Sequence, residues 1–475
     1  MRMMRRAPVV LLLAILACAV NPVTGEREFM LISEQQEIEM GQEYSAQVEQ
    51  QIGLVDDADL QSYVEAVGMP MARASERPDL PWRFRVLDDP TPNAFAVPGG
   101  FIYVTRGLMD LMGSEAQLAS VLGHEIGHVT ARHSVSQMSR AQLAQLGLGV
   151  GMVLLPEDLR ALGQVAGAGV SILFLKYGRD DERQSDELGF RYALESGYDV
   201  REMARVFASL ERSSELAGGS GLPTWLSSHP SPPERIESVQ YRVDALDRSL
   251  AGLEVGQEAY LTRLDGLAYG PNPRNGFFQE ATFIHPELRF RMAFPTGWAT
   301  QNLAQVVAAT SPEQDAAVQL TLAEGTPSAA ARTFLSQDGI TEVQSRQTTI
   351  HGFEAVISEF QAESDTPLRG TATFLADGDR TYQLLGYTAS SRFGQYAGTF
   401  DAWSGSFERL TDPELLGRQP DRLAIVELPT SLTLESFTAR YPSVVPLDVL
   451  ALLNQVEGPT ASLAAGSLAK RVVNP

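Results

Sequence analysis

His124-Glu125-Ile126-Gly127-His128 constrains this chain more than any other stretch of its sequence. Histidines four residues apart lie on one face of a helix, one turn above the other, so both imidazoles reach a single point only if this stretch is helical. The flanks agree: Ser114 with Gln117 three residues on reads as a capping box, and Leu118, Val121, Leu122 and Val129 supply an apolar stripe. Two histidines merely packed in a core would leave Glu125 buried between them without a partner, which is costly. The pattern reads instead as two ligands of one zinc ion per chain, with Glu125 beside the metal as general base.

A catalytic zinc needs a third protein ligand and an open fourth position. Glu182-Arg-Gln-Ser-Asp186 offers one. Glu182 and Asp186 are i and i+4 on a helix expected to stop near Gly197, so Glu182 can bind metal while Asp186 accepts a hydrogen bond from the far nitrogen of a ligand histidine. Spacing alone leaves a second reading open, a solvated acidic face, because Asp180, Asp181 and Glu187 are adjacent. His133, His285 and His351 have no supporting context and read as ordinary surface or core residues.

A chain of 475 residues with 44% hydrophobic content exceeds what one core holds, so two or three domains are expected. The formal net charge of −22 argues against nucleic acid as a partner. From Ile32 to about Gln257 the pattern is mostly helical, with one extended interruption from Trp82 to Val104, where WRFRVLD and FIYV read as strands flanking a turn-rich TPNAFAVPGG. Gly270 to Gly276 breaks every period and reads as a linker. Beyond it Leu288, Phe290, Met292 and Phe294 alternate with polar neighbours, as do Val318, Leu320 and Leu322, which predicts half-buried antiparallel strands. Helices near Ala329–Leu335 and Arg392–Phe407 are expected to cover one face of that sheet. Leu423 to Val473 reads as strand, helix from Thr433, helix from Pro446, and strand.

The expected fold class is therefore α+β: a mainly helical domain at 26–262 with a small sheet, an antiparallel-sheet α/β domain at 277–411, and a βααβ module at 421–475. Two apolar runs, Ala141–Leu155 and Ala161–Leu175, are shorter than the ~20 residues a bilayer-spanning helix needs. They read as a buried helical hairpin or as an apolar plate facing lipid or an unfolded client.

Arg2, Arg5 and Arg6 precede an uncharged apolar run from Ala7 to Val20, the layout of a secretory signal over residues 1–19. The single cysteine, Cys18, closes Ile15-Leu16-Ala17-Cys18, which resembles a bacterial lipobox. Cleavage before Cys18 and acylation would tether the protein to a membrane, and Ala19 after the cysteine resembles the outer-membrane sorting pattern. Ordinary cleavage after Ala19 fits the same residues. No intramolecular disulfide is possible.

Taken together, GHEIGH, ERQSD, the preceding NAFAVPGG, and His229-Pro230 with Arg235 six residues after the histidine resemble the gluzincin metallopeptidase family of CAAX prenyl proteases, HtpX and BepA, over roughly residues 32–257. The resemblance implies His124, His128 and Glu182 as zinc ligands and Glu125 as catalytic base. It implies that Asn93 to Val104 is an edge strand above the zinc, against which an extended peptide pairs, with Asn93, Ala94 and Phe95 in contact and Gly99 and Gly100 letting backbones approach. It leaves His229 two roles: a fourth ligand that blocks the water site, or, with Arg235, a stabiliser of the oxyanion. A loop-ending His-Pro before a helix is the third reading.

FPTGW at Phe294–Trp298 and SFERL at Ser406–Leu410 look similar to PsbP/Mog-like domains, and the last module resembles LysM, which implies glycan strands of peptidoglycan as a ligand. A small structural cap is the other reading of that module. The resemblance as a whole implies a periplasmic zinc metalloendopeptidase, held at the outer membrane, acting on unfolded or misassembled envelope proteins in protein quality control. The competing class is an envelope chaperone or scaffold whose zinc site is plugged by His229 and which binds clients or peptidoglycan.

Overall fold

The computed structural model describes residues 18–145, 177–216, 224–229, 232–303, 305–363 and 367–475. The secretory run up to residue 17, most of the first apolar run and all of the second lie outside the described residues. The chain forms two compact units, residues 1–49 with 53–270 and 421–475, and residues 50–52 with 271–420.

In the first unit, β1 (Cys18–Val20) and β2 (Arg27–Phe29) form a small hairpin, followed by helices α1 (Glu34–Ile52) and α2 (Ala58–Ala74). A three-stranded sheet comes next, from β3 (Arg83–Leu87), β4 (Ala94–Val97) and β5 (Phe101–Thr105), in the order β3-β5-β4. The edge strand is β4, not the whole of Asn93 to Val104: β5 is central, parallel to β3 and antiparallel to β4. The turn-rich reading of TPNAFAVPGG missed β4 because proline and glycine at its end masked four strand residues. Gly99 and Gly100, with φ of +83° and +100°, make the turn between β4 and β5. Their close approach is internal: a Cβ on Gly99 would lie 2.9 Å from the Ile38 backbone, and one on Gly100 would lie 3.3 Å from the Trp82 ring.

After α3 (Arg106–Leu111) comes α4 (Glu115–Thr130), which carries the two histidines. Ser114 Oγ accepts from Gln117 N as expected of an N-cap, but the Gln117 side chain accepts from Gly113 N at 2.7 Å rather than from Ser114. The cap is therefore one-sided. Arg132, at φ +59°, reverses the chain into α5 (His133–Gln145), and α6 (Arg179–Glu195) carries Glu182 and Asp186 and stops two residues before Gly197. The rest of this part comprises α7 (Glu202–Leu216), α8 (Thr224–Ser228), α9 (Pro232–Asp244) and α10 (Gln257–Leu264).

Residues 421–475 close into the same unit. Strand Asp421–Glu427 pairs with Leu468–Val473 and with Ala268–Tyr269, helices Leu434–Arg440 and Leu447–Leu453 lie between, and Leu423, Leu452, Leu453 and Val472 join the core that contains Leu118, Leu122 and Ile126 of α4.

The second unit is built on a seven-stranded antiparallel sheet plus a four-stranded one. The two helices predicted from the sequence lie on opposite faces of the large sheet, where one face had been expected. Val356, Phe360, Ala372 and Phe374 pack with Phe334 of helix Pro327–Leu335, whereas Ala355, Leu375, Tyr382 and Leu384 pack with Phe400 and Trp403 of helix Phe393–Gly405. Alternate residues of a strand point to opposite faces, so a sheet apolar on both sides needs a cover on both.

The contact that positions everything in the first unit is that of α4 with α6. Gly123 and Gly127 face Gly189 and Ser185, and a Cβ on Gly189 would lie only 2.7 Å from His124 N. Glycine to alanine inside a helix ordinarily stabilises by up to ~1 kcal/mol. Gly189→Ala is instead expected to lose about 1–3 kcal/mol, the range for overpacking. Urea unfolding measures this, and a more stable variant would mean the helices do not approach backbone to backbone.

Candidate metal centre

With α4 and α6 this close, pairs four residues apart on each helix face one another. His124 Nε2 and His128 Nε2 are 3.0 Å apart, and Glu182 reaches both, with Oε1 3.4 Å from His128 Nε2 and Oε2 3.6 Å from His124 Nε2. His229, at the end of α8, completes the group: its Nδ1 is 2.8 Å from Glu182 Oε1 and 3.3 Å from His124 Nε2. One donor atom from each of these four buried residues lies within 4.8 Å of every other. A tetrahedral ion with bonds of ~2.0–2.1 Å spaces its ligands at roughly 3.3–3.4 Å, and the observed separations bracket that value.

Hydrogen positions follow from the partners. Asp186 Oδ1, an acceptor, lies 2.9 Å from His124 Nδ1, so that nitrogen donates and Nε2 is left with a bare lone pair. Arg235 in turn donates from Nε to Asp186 Oδ2 at 2.8 Å, and its NH1 sits 3.3 Å from Glu182 Oε2. The guanidinium is stacked over Phe207 and Trp225, at 4.1 and 4.6 Å, and its NH1 has no hydrogen-bond partner among the described residues. Arg235 thus steadies Asp186 and pairs with Glu182.

The donor set fits a divalent cation. Glu125, Glu182 and Asp186 are buried carboxylates, and Arg235 is the one buried guanidinium beside them, which leaves two formal negative charges when the histidines are neutral. Neither Glu125 oxygen has a hydrogen-bond partner among the described residues, nor has Glu182 Oε2. Burial pushes the Glu125 carboxyl up. Burial pushes Glu182 the same way, but the neighbouring His229 and the Arg235 guanidinium outweigh it and hold Glu182 well below the usual carboxylate range. Asp186 is held low by Arg235 and His124 against the same burial. Burial lowers His229, yet Glu182 and Glu125 leave it raised overall.

Two aromatic rings fix the imidazole planes. Tyr177 stacks on His128 at 3.9 Å and Trp225 on His229 at 4.8 Å. His133 is not the ordinary residue its sequence context suggested: it is buried with Nδ1 2.9 Å from His128 Nδ1. No periodicity announces it, because the left-handed turn at Arg132 folds it back. Of the remaining expected residues, Ala94 and Phe95 lie on β4, which packs against α4 and among the described residues pairs only with β5. Asn93 precedes β4, is buried, and its Oδ1 is unpartnered among the described residues. Gly99 and Gly100 are packed against Ile38 and Trp82. Cys18 pairs in β1 and is not part of this cluster.

Adding a divalent metal ion to metal-free protein, at a free concentration roughly 100 times its Kd, is expected to raise the unfolding free energy by about 2.7 kcal/mol. His124→Ala and Glu182→Ala should abolish that gain. Urea unfolding with and without metal reads it, and equal gains in the variants would place the ion elsewhere.

Residues 58–243 match the profile of Peptidase family M48. The beta-barrel assembly-enhancing protease of Escherichia coli (strain K12) is 26% identical over 261 residues, 54% of this chain and 53% of its own length. That of Yersinia pestis is 31% identical over 234 residues, 47% of each chain. The mitochondrial metalloendopeptidase OMA1 of Bos taurus is 30% identical over 237 residues, 46% of this chain and 44% of its own. The chain thus spans about half the length of the curated relatives it matches. Among solved structures, cyanobacterial PsbP (CyanoP) from Synechocystis matches at 15% identity and a TM-score of 0.23, over 27% of this chain and 91% of its own.

Proposed function

We propose, for a chain whose residues 58–243 match the profile of Peptidase family M48, that the protein is a zinc-dependent endopeptidase acting on unfolded or misassembled proteins of a bacterial cell envelope. The observation that carries this reading is the convergence of His124, His128 and Glu182 on one point beside a buried Glu125 whose oxygens have no other hydrogen-bond partner among the described residues. Zinc held there supplies a Lewis acid that polarises a carbonyl and makes water nucleophilic near neutral pH. Glu125 takes the proton of the attacking water and passes it to the leaving amine, a task suited to a carboxyl whose affinity for protons burial has raised. Asp186, backed by Arg235, holds the tautomer of His124. The edge of β4, unpaired among the described residues and with Asn93 at its start, offers an extended peptide a line of backbone groups.

His229 adds a second feature. Its Nδ1 takes the fourth corner, and its Nε2 lies 3.7 Å from Glu125 Oε1, so the four side chains close the coordination that a catalytic site keeps open. On the endopeptidase reading this arrangement is a latched resting state, released when His229 withdraws. It equally supports the competing reading, a chaperone or scaffold with a plugged zinc site that binds clients or peptidoglycan.

Envelope placement is proposed from the basic and apolar run ending at Cys18, with acylated Cys18 as a tether to the outer membrane. Among the described residues no helix is long and apolar enough to cross a membrane. Residues 277–411 are read as a PsbP/Mog-like domain, and 421–475, with two helices between paired strands, as a LysM-like element directed at peptidoglycan.

Glu125→Gln should keep its zinc and lose cleavage of unfolded casein by about 10²–10⁴-fold. Turnover retained in that variant would refute the mechanism. His229→Ala against the unsubstituted chain separates the readings: cleavage gained by the variant identifies a latch, and cleavage by neither identifies a binder.

A further inference from the structure

We infer that His133 is a positioning residue for the metal: with Gln184 it forms a hydrogen-bond relay that fixes the tautomer and ring orientation of His128. The inference rests on the reading of this site as a zinc centre and adds a residue to it. His133 lies outside HExxH, on the next helix. It reaches the site because Arg132 adopts a left-handed conformation, φ +59°, that a non-glycine residue takes only when held there. Arg132 is held by donating from Nε to Glu37 Oε2 at 2.9 Å and from NH2 to Ile32 O at 3.0 Å. Glu37 is itself buried and also paired with Arg77. The turn is therefore pinned from α1.

Proton bookkeeping along the relay has a single solution. His128 presents Nε2 to the point it shares with His124 and Glu182, so that nitrogen must carry a lone pair and Nδ1 must carry the proton. The partner of His128 Nδ1, at 2.9 Å, is His133 Nδ1, which must then accept. His133 Nε2 therefore carries a proton, and at 2.8 Å it meets Gln184 Oε1, an acceptor. Ser185 Oγ, 3.3 Å from His133 Nδ1, is a second donor to the same lone pair. Every group has a complementary neighbour, and the amide orientation of Gln184 is the one this order of protons requires.

The two ligand histidines are thus braced differently. His124 leans on a carboxylate, Asp186, and His128 on a neutral imidazole. Stacking of Tyr177 on His128 fixes the plane of that ring, and only the bond to His133 fixes which nitrogen faces the metal. Without an acceptor at that place, the buried Nδ1 proton of His128 is stranded and the tautomer with the wrong nitrogen protonated competes.

The test uses the full chain, stripped of metal and titrated with zinc against a competing chelator. His133→Leu removes the acceptor while keeping bulk, and zinc affinity is expected to fall about 10–100-fold, the usual cost of losing such a partner. His133→Asn restores an acceptor oxygen at the position of Nδ1 and is expected to recover most of that loss. Gln184→Leu leaves the site packed and should weaken zinc in the same direction by a smaller factor. With cobalt in place of zinc, the visible d–d bands should shift in His133→Leu and return in His133→Asn. Wild-type affinity in His133→Leu would overturn the inference, as would a loss that His133→Asn fails to recover, which marks mere packing. Failure of the unsubstituted chain to bind zinc would overturn the inference and the zinc reading together. Zinc binding and Glu125-dependent cleavage with an unaffected His133→Leu would overturn the relay alone.

Discussion

The approach of α4 to α6 through Gly123, Gly127 and Gly189 is the constraint on which the site depends. Side chains on two helices meet at ligand-like distances only when the backbones between them nearly touch, and a single methyl group at the crossing would part them. Each helix contributes a pair four residues apart, so one close contact brings His124, His128, Glu182 and Asp186 into register at once. The cluster is a consequence of helix geometry plus three missing side chains.

Burying these groups is expensive, and the surrounding structure shows how the cost is met. Isolated charges in a dry interior cost several kcal/mol each, which only partners at hydrogen-bond distance offset. Arg235 serves Asp186 and Glu182 together, His229 pairs with Glu182, and Arg77 with Arg132 surrounds Glu37 one layer further out, while the Glu125 oxygens are left without a hydrogen-bond partner among the described residues. The outer layer is structural in itself and yet governs the inner one, because Arg132 sets the turn that delivers His133. Tyr177 and Trp225 close the faces of the imidazoles with aromatic carbon and keep the dielectric low around the donors.

What could be read from the sequence divides along a physical line. HExxH and the Glu182–Asp186 pair are legible because their chemistry is local: i and i+4 on one helix need no knowledge of the fold. The change from helical period to alternation near Gly276 is equally local, and it divides the chain close to residue 270, where the first unit gives way to the second. His133 escaped because it is placed by long-range packing, through a left-handed turn held by α1. Arg235, Gly99 and Gly100 are named through the family resemblance, but their contacts, with Asp186 and with Ile38 and Trp82, depend on how distant elements meet and could not be read from the sequence. The opposite-face placement of Pro327–Leu335 and Phe393–Gly405 escaped because both read as amphipathic, and alternation in a strand marks two faces without saying which helix takes which.

The last residues of the chain illustrate the same distinction on a larger scale. Residues 421–475 have a core of their own around Leu428, Leu434, Phe437 and Leu450, as a separate module would. Lys470 nevertheless buries its ammonium at the C-terminal end of α3, donating to the carbonyls of Asp110, at 2.6 Å, and Met112. Gln455 donates to Leu111 O at 2.9 Å and bonds with the side chain of Gln117, in the first turn of α4. Burial drives the Lys470 amine down in affinity for protons and the nearby Asp110 carboxyl up, a strain that loose docking would release by letting water in. Leu452, Leu453 and Val472 from the same stretch join the hydrophobic core of the first unit, and Lys470 is buried with them. Residues 421–475 therefore cap the helix that leads into α4, and two turns of α4 separate Gln117 from His124 of the buried His/Glu cluster.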